Sequence, residues 1–273
     1  MKSRSVVIAA VASIVVSAGQ AGAADEAPLM DAPEVTISSS SAPQGWYVRG
    51  DIGYAPWISE GSPDYRIYDA GGALASSGEF DSARFSKPFS AGLGIGYQFT
   101  DVFRADLTTD FFKGDFNGTA RSASPCSASA PTGTGCAYQQ GADFRAHGVM
   151  VNGYVDLATV AGFTPYVGVG AGATNLRWDT VTSGPACVDG TSACSGAGFA
   201  AERFDGDSSW RFTYALMAGV SYNVTEQVKL DLGYRYSDVA GGDMFGSAAD
   251  GFKGRDDGLS RHEIRAGIRI SFW

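Results

Sequence analysis

Histidine is almost absent from this chain: His147 and His262 are the only two among 273 residues. An imidazole-built metal centre has no material here. The four cysteines, Cys126, Cys136, Cys187 and Cys194, have neither the spacing nor a nearby histidine for a zinc site. Beyond the N-terminal region no run of about 18 apolar residues occurs, so no later helical membrane span is expected. Long 3.6-residue patterns are missing as well. Positive charge is scarce: 20 Lys and Arg stand against 29 Asp and Glu, a formal charge of −9. That balance disfavours nucleic acid as a partner. Glycine (37 residues) and aromatics (12 %) are abundant instead, which is the composition of strands and turns.

The clearest positive signal is the C-terminus. Ile264, Ala266, Ile268, Ile270 and Phe272 alternate with Arg265, Gly267, Arg269, Ser271 and Trp273. Strand side chains change face at every residue, so this segment has one apolar and one charged face. A strand of about ten residues ending on an aromatic suits a bilayer-spanning β-strand. At the other end, Lys2 and Arg4 precede an apolar stretch over 6–16 and the small residues Ala21, Gly22 and Ala23. This predicts a secretory signal peptide over 1–23. Residues 24–45, with three prolines, four acidic residues and a serine run, read as a flexible periplasmic linker. The remainder, 46–273, reads as one transmembrane β-barrel domain.

The period-two test finds seven further strands, at 46–54, 89–99, 103–111, 149–157, 165–173, 210–222 and 228–236. Long connections over 55–88, 114–143, 177–209 and 239–260 alternate with short ones near 100–101, 159–163 and 223–227. The expected fold is all-β: an eight-stranded antiparallel up-and-down transmembrane barrel with long extracellular loops. Its inward face would carry Arg49, Asp51, Arg104, Asp106, Asp110, Asp156, Lys229, Asp231, Arg235, Arg265 and Arg269. A soluble barrel would have to bury these charges in an apolar core, at several kcal/mol for each unpaired one. A lipid-embedded barrel pairs them inside and turns its apolar face to hydrocarbon. Aromatics at both ends of the outward faces, among them Trp46, Phe103, Tyr222, Phe111 and Trp210, mark two interfacial girdles.

The segment Trp46-Tyr-Val-Arg-Gly-Asp-Ile-Gly-Tyr54 resembles the opening strand of the small opacity-type outer-membrane barrels, the group of alphaproteobacterial major surface proteins. Gly92-Leu-Gly-Ile-Gly-Tyr97, Thr164-Pro-Tyr-Val-Gly-Val-Gly-Ala-Gly172 and Leu232-Gly-Tyr-Arg-Tyr236 are similar to the inner strands of that family. The resemblance covers about 45–273. It implies the cell outer membrane and a structural, surface-antigen or porin-like role; some relatives are associated with hemin or host contact. The family ends on a lipid-facing aromatic. Phe272 takes that place and Trp273 is one residue extra, so the pair reads as the signal for the barrel-insertion machinery.

For an exported chain, four cysteines imply disulfides, and adjacency favours Cys126–Cys136 and Cys187–Cys194 among three possible pairings. Gly92-Leu-Gly-Ile-Gly has period two and no helix after it, so it is no phosphate loop. Ser260 lies two residues before His262, which would allow a hydrolytic dyad on one strand face, although the expectation is no enzyme. His147 and His262 are the available axial ligands for a surface-bound heme, although no cofactor is expected. At eight strands the interior is just wide enough for side chains, so a largely plugged barrel is expected. A narrow porin for small solutes or ions, and a loop-borne receptor or adhesin, are the alternatives. Expected partners are outer-membrane lipid, lipopolysaccharide, and a host or environmental ligand at the loops.

Overall fold

A computed structural model describes residues 44–69, 71–86, 88–122, 126, 133–188, 200–247, 249 and 251–272. They form thirteen strands: β1 (Gly45–Glu60), β2 (Asp64–Tyr68), β3 (Leu74–Glu79), β4 (Ser82–Phe85), β5 (Phe89–Gln98), β6 (Phe103–Ser122), β7 (Gly135–Asp156), β8 (Phe163–Trp178), β9 (Val181–Val188), β10 (Glu202–Phe204), β11 (Ser208–Asn223), β12 (Val228–Ser247) and β13 (Phe252–Phe272). Eight of them close an antiparallel ring in the order β1, β5, β6, β7, β8, β11, β12, β13 and back to β1. The closing ladder runs from Trp46↔Phe272 to Glu60↔Leu259. The expected signal peptide, residues 24–43 of the expected linker, and Trp273 lie outside the described residues, while Gly45, the last residue of that linker, is already in β1.

One end of the ring has short turns with repeated chemistry. Thr100 Oγ1 accepts from the backbone N–H groups of Val102 and Phe103. Thr225 Oγ1 accepts in the same way from Gln227 and Val228. Between β7 and β8, Val160 and Phe163 exchange two backbone hydrogen bonds across Ala161 and Gly162. Both central residues have positive φ, 52° and 83°. Mirror-image turns of this kind match the twist of the flanking strands, and glycine is cheap at the second place.

At the opposite end the expected long loops are themselves largely strand. β6 and β7 stay paired from Phe103↔Val155 up to Ser122↔Cys136. β12 and β13 stay paired to Ser247↔Phe252. β9 takes over from β8 as the neighbour of β7, β4 pairs with β6, and the β2–β3 hairpin leans on β13. The walls therefore continue past the apolar band as a second, smaller β-structure.

The two levels have opposite polarity. Along β6 the inward residues run Arg104, Asp106, Thr108, Asp110 and then Phe112, Phe116 and Ala120, all buried. The outward residues run Phe103, Leu107 and Phe111 and then Lys113 and Asp115. Inside and outside exchange character at the same rung. The lower wall faces lipid, so charge must turn inward. The upper wall faces water, so apolar side chains must turn inward. Phe80, Phe112, Phe116, Phe144, Leu176, Trp178, Val181, Met244 and Phe245 belong to the resulting upper core.

Cys126 and Cys136 are disulfide-bonded, ten residues apart in sequence. Cys187 lies directly across from Cys136 on β9 and is also disulfide-bonded. Its expected partner Cys194 is outside the described residues. Opening the Cys126–Cys136 loop should cost about 2–3 kcal/mol of local stability. Expected on Cys126→Ser/Cys136→Ser is faster proteolytic cleavage between β6 and β7, with the heat-modifiable gel shift of the barrel unchanged.

Candidate functional site

The candidate site is the barrel interior, built from inward positions on all eight ring strands. The Arg104 guanidinium lies nearest the short turns and is fully buried. Its Nε donates to both carboxylate oxygens of Asp156 at 3.0 and 3.1 Å. The plane is held between the rings of Tyr154 and Tyr166, with centroids at 3.9 and 4.9 Å. A cation over a desolvated aromatic face is held by the ring quadrupole. At the same end Arg269 Nη2 reaches Asp231 at 3.1 Å and Ser221 Oγ at 2.9 Å. Half-buried Lys229 lies across from Arg269.

One layer up, Arg49 donates twice to Asp51, at 2.8 and 2.7 Å, and once to Asp106 at 2.9 Å. The Tyr154 hydroxyl accepts a further bond from Arg49, and Asn152 and Tyr47 donate to Asp106. Room for these side chains comes from the facing glycines: at Gly96 a Cβ would collide with the Tyr47 ring. Asp110 is shared by Arg235 at 2.8 Å and Arg265 at 2.6 Å. One cavity of about 20 Å³ lies among these groups, bordered by Arg49, Asp51, Tyr154, Asp231 and Arg235. That is room for about one water molecule.

All eleven charged residues read from the sequence therefore point inward, and four more join them. Glu263 takes Arg261 at 3.2 Å and bonds Ser90, and Arg211 grips Asp256 at 2.7 and 2.8 Å. Above the apolar band, burial pushes the Asp256 carboxyl above its ordinary value against the pull of Arg211. Arg261 marks the change of level, its guanidinium carbon 3.7 Å from the centre of the Phe112 ring. Arg211 alternates with the outward Trp210 and Phe212 and was legible as an inward position, whereas Arg261 and Asp256 sit where outward residues cease to be apolar: Ser260 and His262 flank Arg261, and the alternation that flags Arg265 stops short of them. Arg235 and Asp231, two turns of the pleat apart on one strand, do not pair with each other.

The histidines are kept apart. His147 on β7 and His262 on β13 are four strands apart in either direction around the ring, on opposite outer walls. No single heme can take both as axial ligands. His147 stacks on Phe111 at 4.6 Å and shares a 2.8 Å hydrogen bond with Thr109. His262 bonds the Tyr234 hydroxyl through Nδ1. Ser260 Oγ donates to Asp238 at 2.6 Å, so its hydroxyl is committed to a carboxylate. The Ser260–His262 dyad is not assembled. Phe272 points outward into the lipid band.

The outer membrane protein beta-barrel domain family matches this chain over residues 8–272. An uncharacterized protein of Brucella abortus (strain 2308) is 33 % identical over 299 aligned positions, covering 100 % of both chains. A candidate adhesin of Rickettsia bellii (strain OSU 85-389) is 25 % identical, covering 89 % of this chain and 97 % of its own. Among solved structures, the outer membrane protein OprG of Pseudomonas aeruginosa covers 84 % of this chain and 96 % of its own, with a TM-score of 0.48 at 15 % identity.

Proposed function

The chain belongs to the outer membrane protein beta-barrel domain family, and on that premise we propose that it is a closed barrel serving the cell surface, structural and recognitional rather than conducting. The observation that carries this reading is the filling of the interior at two levels. Paired Arg and Asp side chains occupy the lipid-embedded part, and the cavity among Arg49, Asp231 and Arg235 has room for about one water. An aromatic core closes the part above it. A solute would have to break ion pairs in a low dielectric and then cross an apolar plug.

The interior ion pairs rigidify the barrel, the terminal Phe272 and Trp273 address it to the insertion machinery, and the upper β-structure meets the environment. The experiment is planar-bilayer conductance of the refolded mature chain. The expected record has no stable steps. Reproducible steps would overturn the closed interior and favour the narrow porin, with the inward Arg and Asp residues as its selectivity lining.

A second reading, a surface receptor or adhesin, is favoured by the folded character of the upper structure. Strands such as β6 and β7 hold it at fixed geometry, so a ligand would meet a preorganised surface. The candidate adhesin among the relatives is consistent with this. Neither reading uses a cofactor or an enzymatic step.

A further inference from the structure

Register places three basic side chains in one row on the outer wall. Lys113 on β6 faces Arg145 on β7, which faces Arg177 on β8. All three point outward and are exposed, Arg145 with 73 % of its side chain accessible. The row directly below, on the lipid side, holds Phe111, His147 and Asn175, extended by Trp210 on β11. Its rings touch in sequence, Phe111 to His147 at 4.6 Å and His147 to Trp210 at 6.2 Å. This is the aromatic girdle on that wall, so the basic row stands one pleat beyond it. With about 3.4 Å of rise per residue and a strand tilt near 40°, the step is about 5 Å of height. Headgroup anions begin at that depth.

The surface there is concave. A recess of about 490 Å³ opens on this wall, with Phe89 at its apolar border and Lys113 and Arg145 among its lining. Its far border is acidic, with Asp115, Asp143 and Asp179. Those carboxylates are partly spent on neighbours. Asp179 pairs with Arg145 at 3.1 Å, and a hydrogen bond from side chain to side chain with Asp115 raises the Asp143 carboxyl above its ordinary value. Lys113 and Arg177 have no ion-pair partner among the described residues. The order outward is therefore apolar, aromatic, cationic, which complements a lipid with acyl chains below and phosphate above.

We infer that Lys113, Arg145 and Arg177 form a docking site for the phosphates of the outer-leaflet glycolipid, lipopolysaccharide, with an acyl chain lying against Phe89 and Phe111. The inference rests on the reading that the long-strand end faces the cell exterior, and it gives that surface a specific lipid. Each cation contributes to holding an anionic headgroup at the interface, and two neighbours about 5 Å apart can share one phosphate.

The test uses the full mature chain in nanodiscs of neutral phospholipid, with bis-phosphorylated lipid A as the probe. Expected is saturable binding that falls about tenfold or more in Lys113→Gln/Arg145→Gln/Arg177→Gln. Phosphate-free lipid A should bind the wild-type chain correspondingly weakly. Unchanged affinity in the triple variant, or equal binding of the phosphate-free glycolipid, overturns the site. Full displacement by millimolar inorganic phosphate overturns the lipid assignment, leaving a site for the free anion. Should the triple variant fail to insert, Lys113→Gln and Arg177→Gln singly carry the same test. The closed-barrel reading fails separately, through channel steps in the wild-type chain.

Discussion

Asp110→Ala should destabilise the barrel by about 3–5 kcal/mol, because it strands two buried guanidiniums at once. Arg235 and Arg265 both end on Asp110, at 2.8 and 2.6 Å. Arg265 keeps only a 3.9 Å approach to Glu263 when that carboxylate is removed. Breaking one side of a buried pair leaves an uncompensated charge, which costs far more than the pair contributes net. Replacing Asp110 and Arg235 together by apolar residues of similar volume should recover part of the loss. The measurement is urea unfolding of the inserted protein, followed by the heat-modifiable gel shift. A loss under about 1 kcal/mol would mean that water enters the interior and solvates the cations, and the closed barrel would then be wrong.

The second large effect belongs to the upper core. Phe116 is fully buried and meets Phe80, Phe85 and Trp178 with ring centroids at 5.8, 5.2 and 5.9 Å. Phe116→Ala removes that centre, at a cost of about 3–5 kcal/mol. The loss should be confined to the upper structure. Below it the interior is held by ion pairs and the outside by lipid, neither of which involves Phe116. Hydrogen exchange should therefore rise in β2–β4 and in the upper halves of β6 and β7, with Phe103–Asp110 still protected. Loss of protection along the whole of β6 would show that the two levels fold as one unit.

This division explains what the sequence disclosed and what it hid. Period-two alternation located all eight ring strands, because a lipid-facing wall requires apolar residues at every second place. The same rule concealed the upper halves. Beyond Phe111 the outward residues become Lys113, Asp115 and Asn117, and the inward ones become Phe112, Gly114 and Phe116. The alternation inverts and is diluted by glycine, so 114–143 reads as a loop although β6 and β7 stay paired through most of it. β3, with Leu-Ala-Ser-Ser-Gly-Glu, carries no apolar pattern and is a strand only by virtue of pairing with β2.

The inward charges were legible as a set, since a face of Arg and Asp backing an apolar one has few other uses. Their partners were not. Asp110 is 125 residues from Arg235 and 155 from Arg265, and which carboxylate meets which guanidinium depends on strand tilt and register around the whole ring. The same long-range register brings Lys113, Arg145 and Arg177 together, three residues unremarkable in their own segments.

The ladder between β1 and β13 has a consequence for how the molecule is made. It joins Trp46 to Phe272, in the first and last strands of the barrel. Until the final strand has been delivered, both borders of the growing sheet hold unpaired amides that lipid will not tolerate. The circle can be sealed only once β13 is in place, and its last contact is among the most distant in sequence, the kind that forms slowly. Until then the chain is an open, adhesive intermediate. The closing seam is therefore where a copy lacking β13 would fail, with β1 and β12 left as two raw edges.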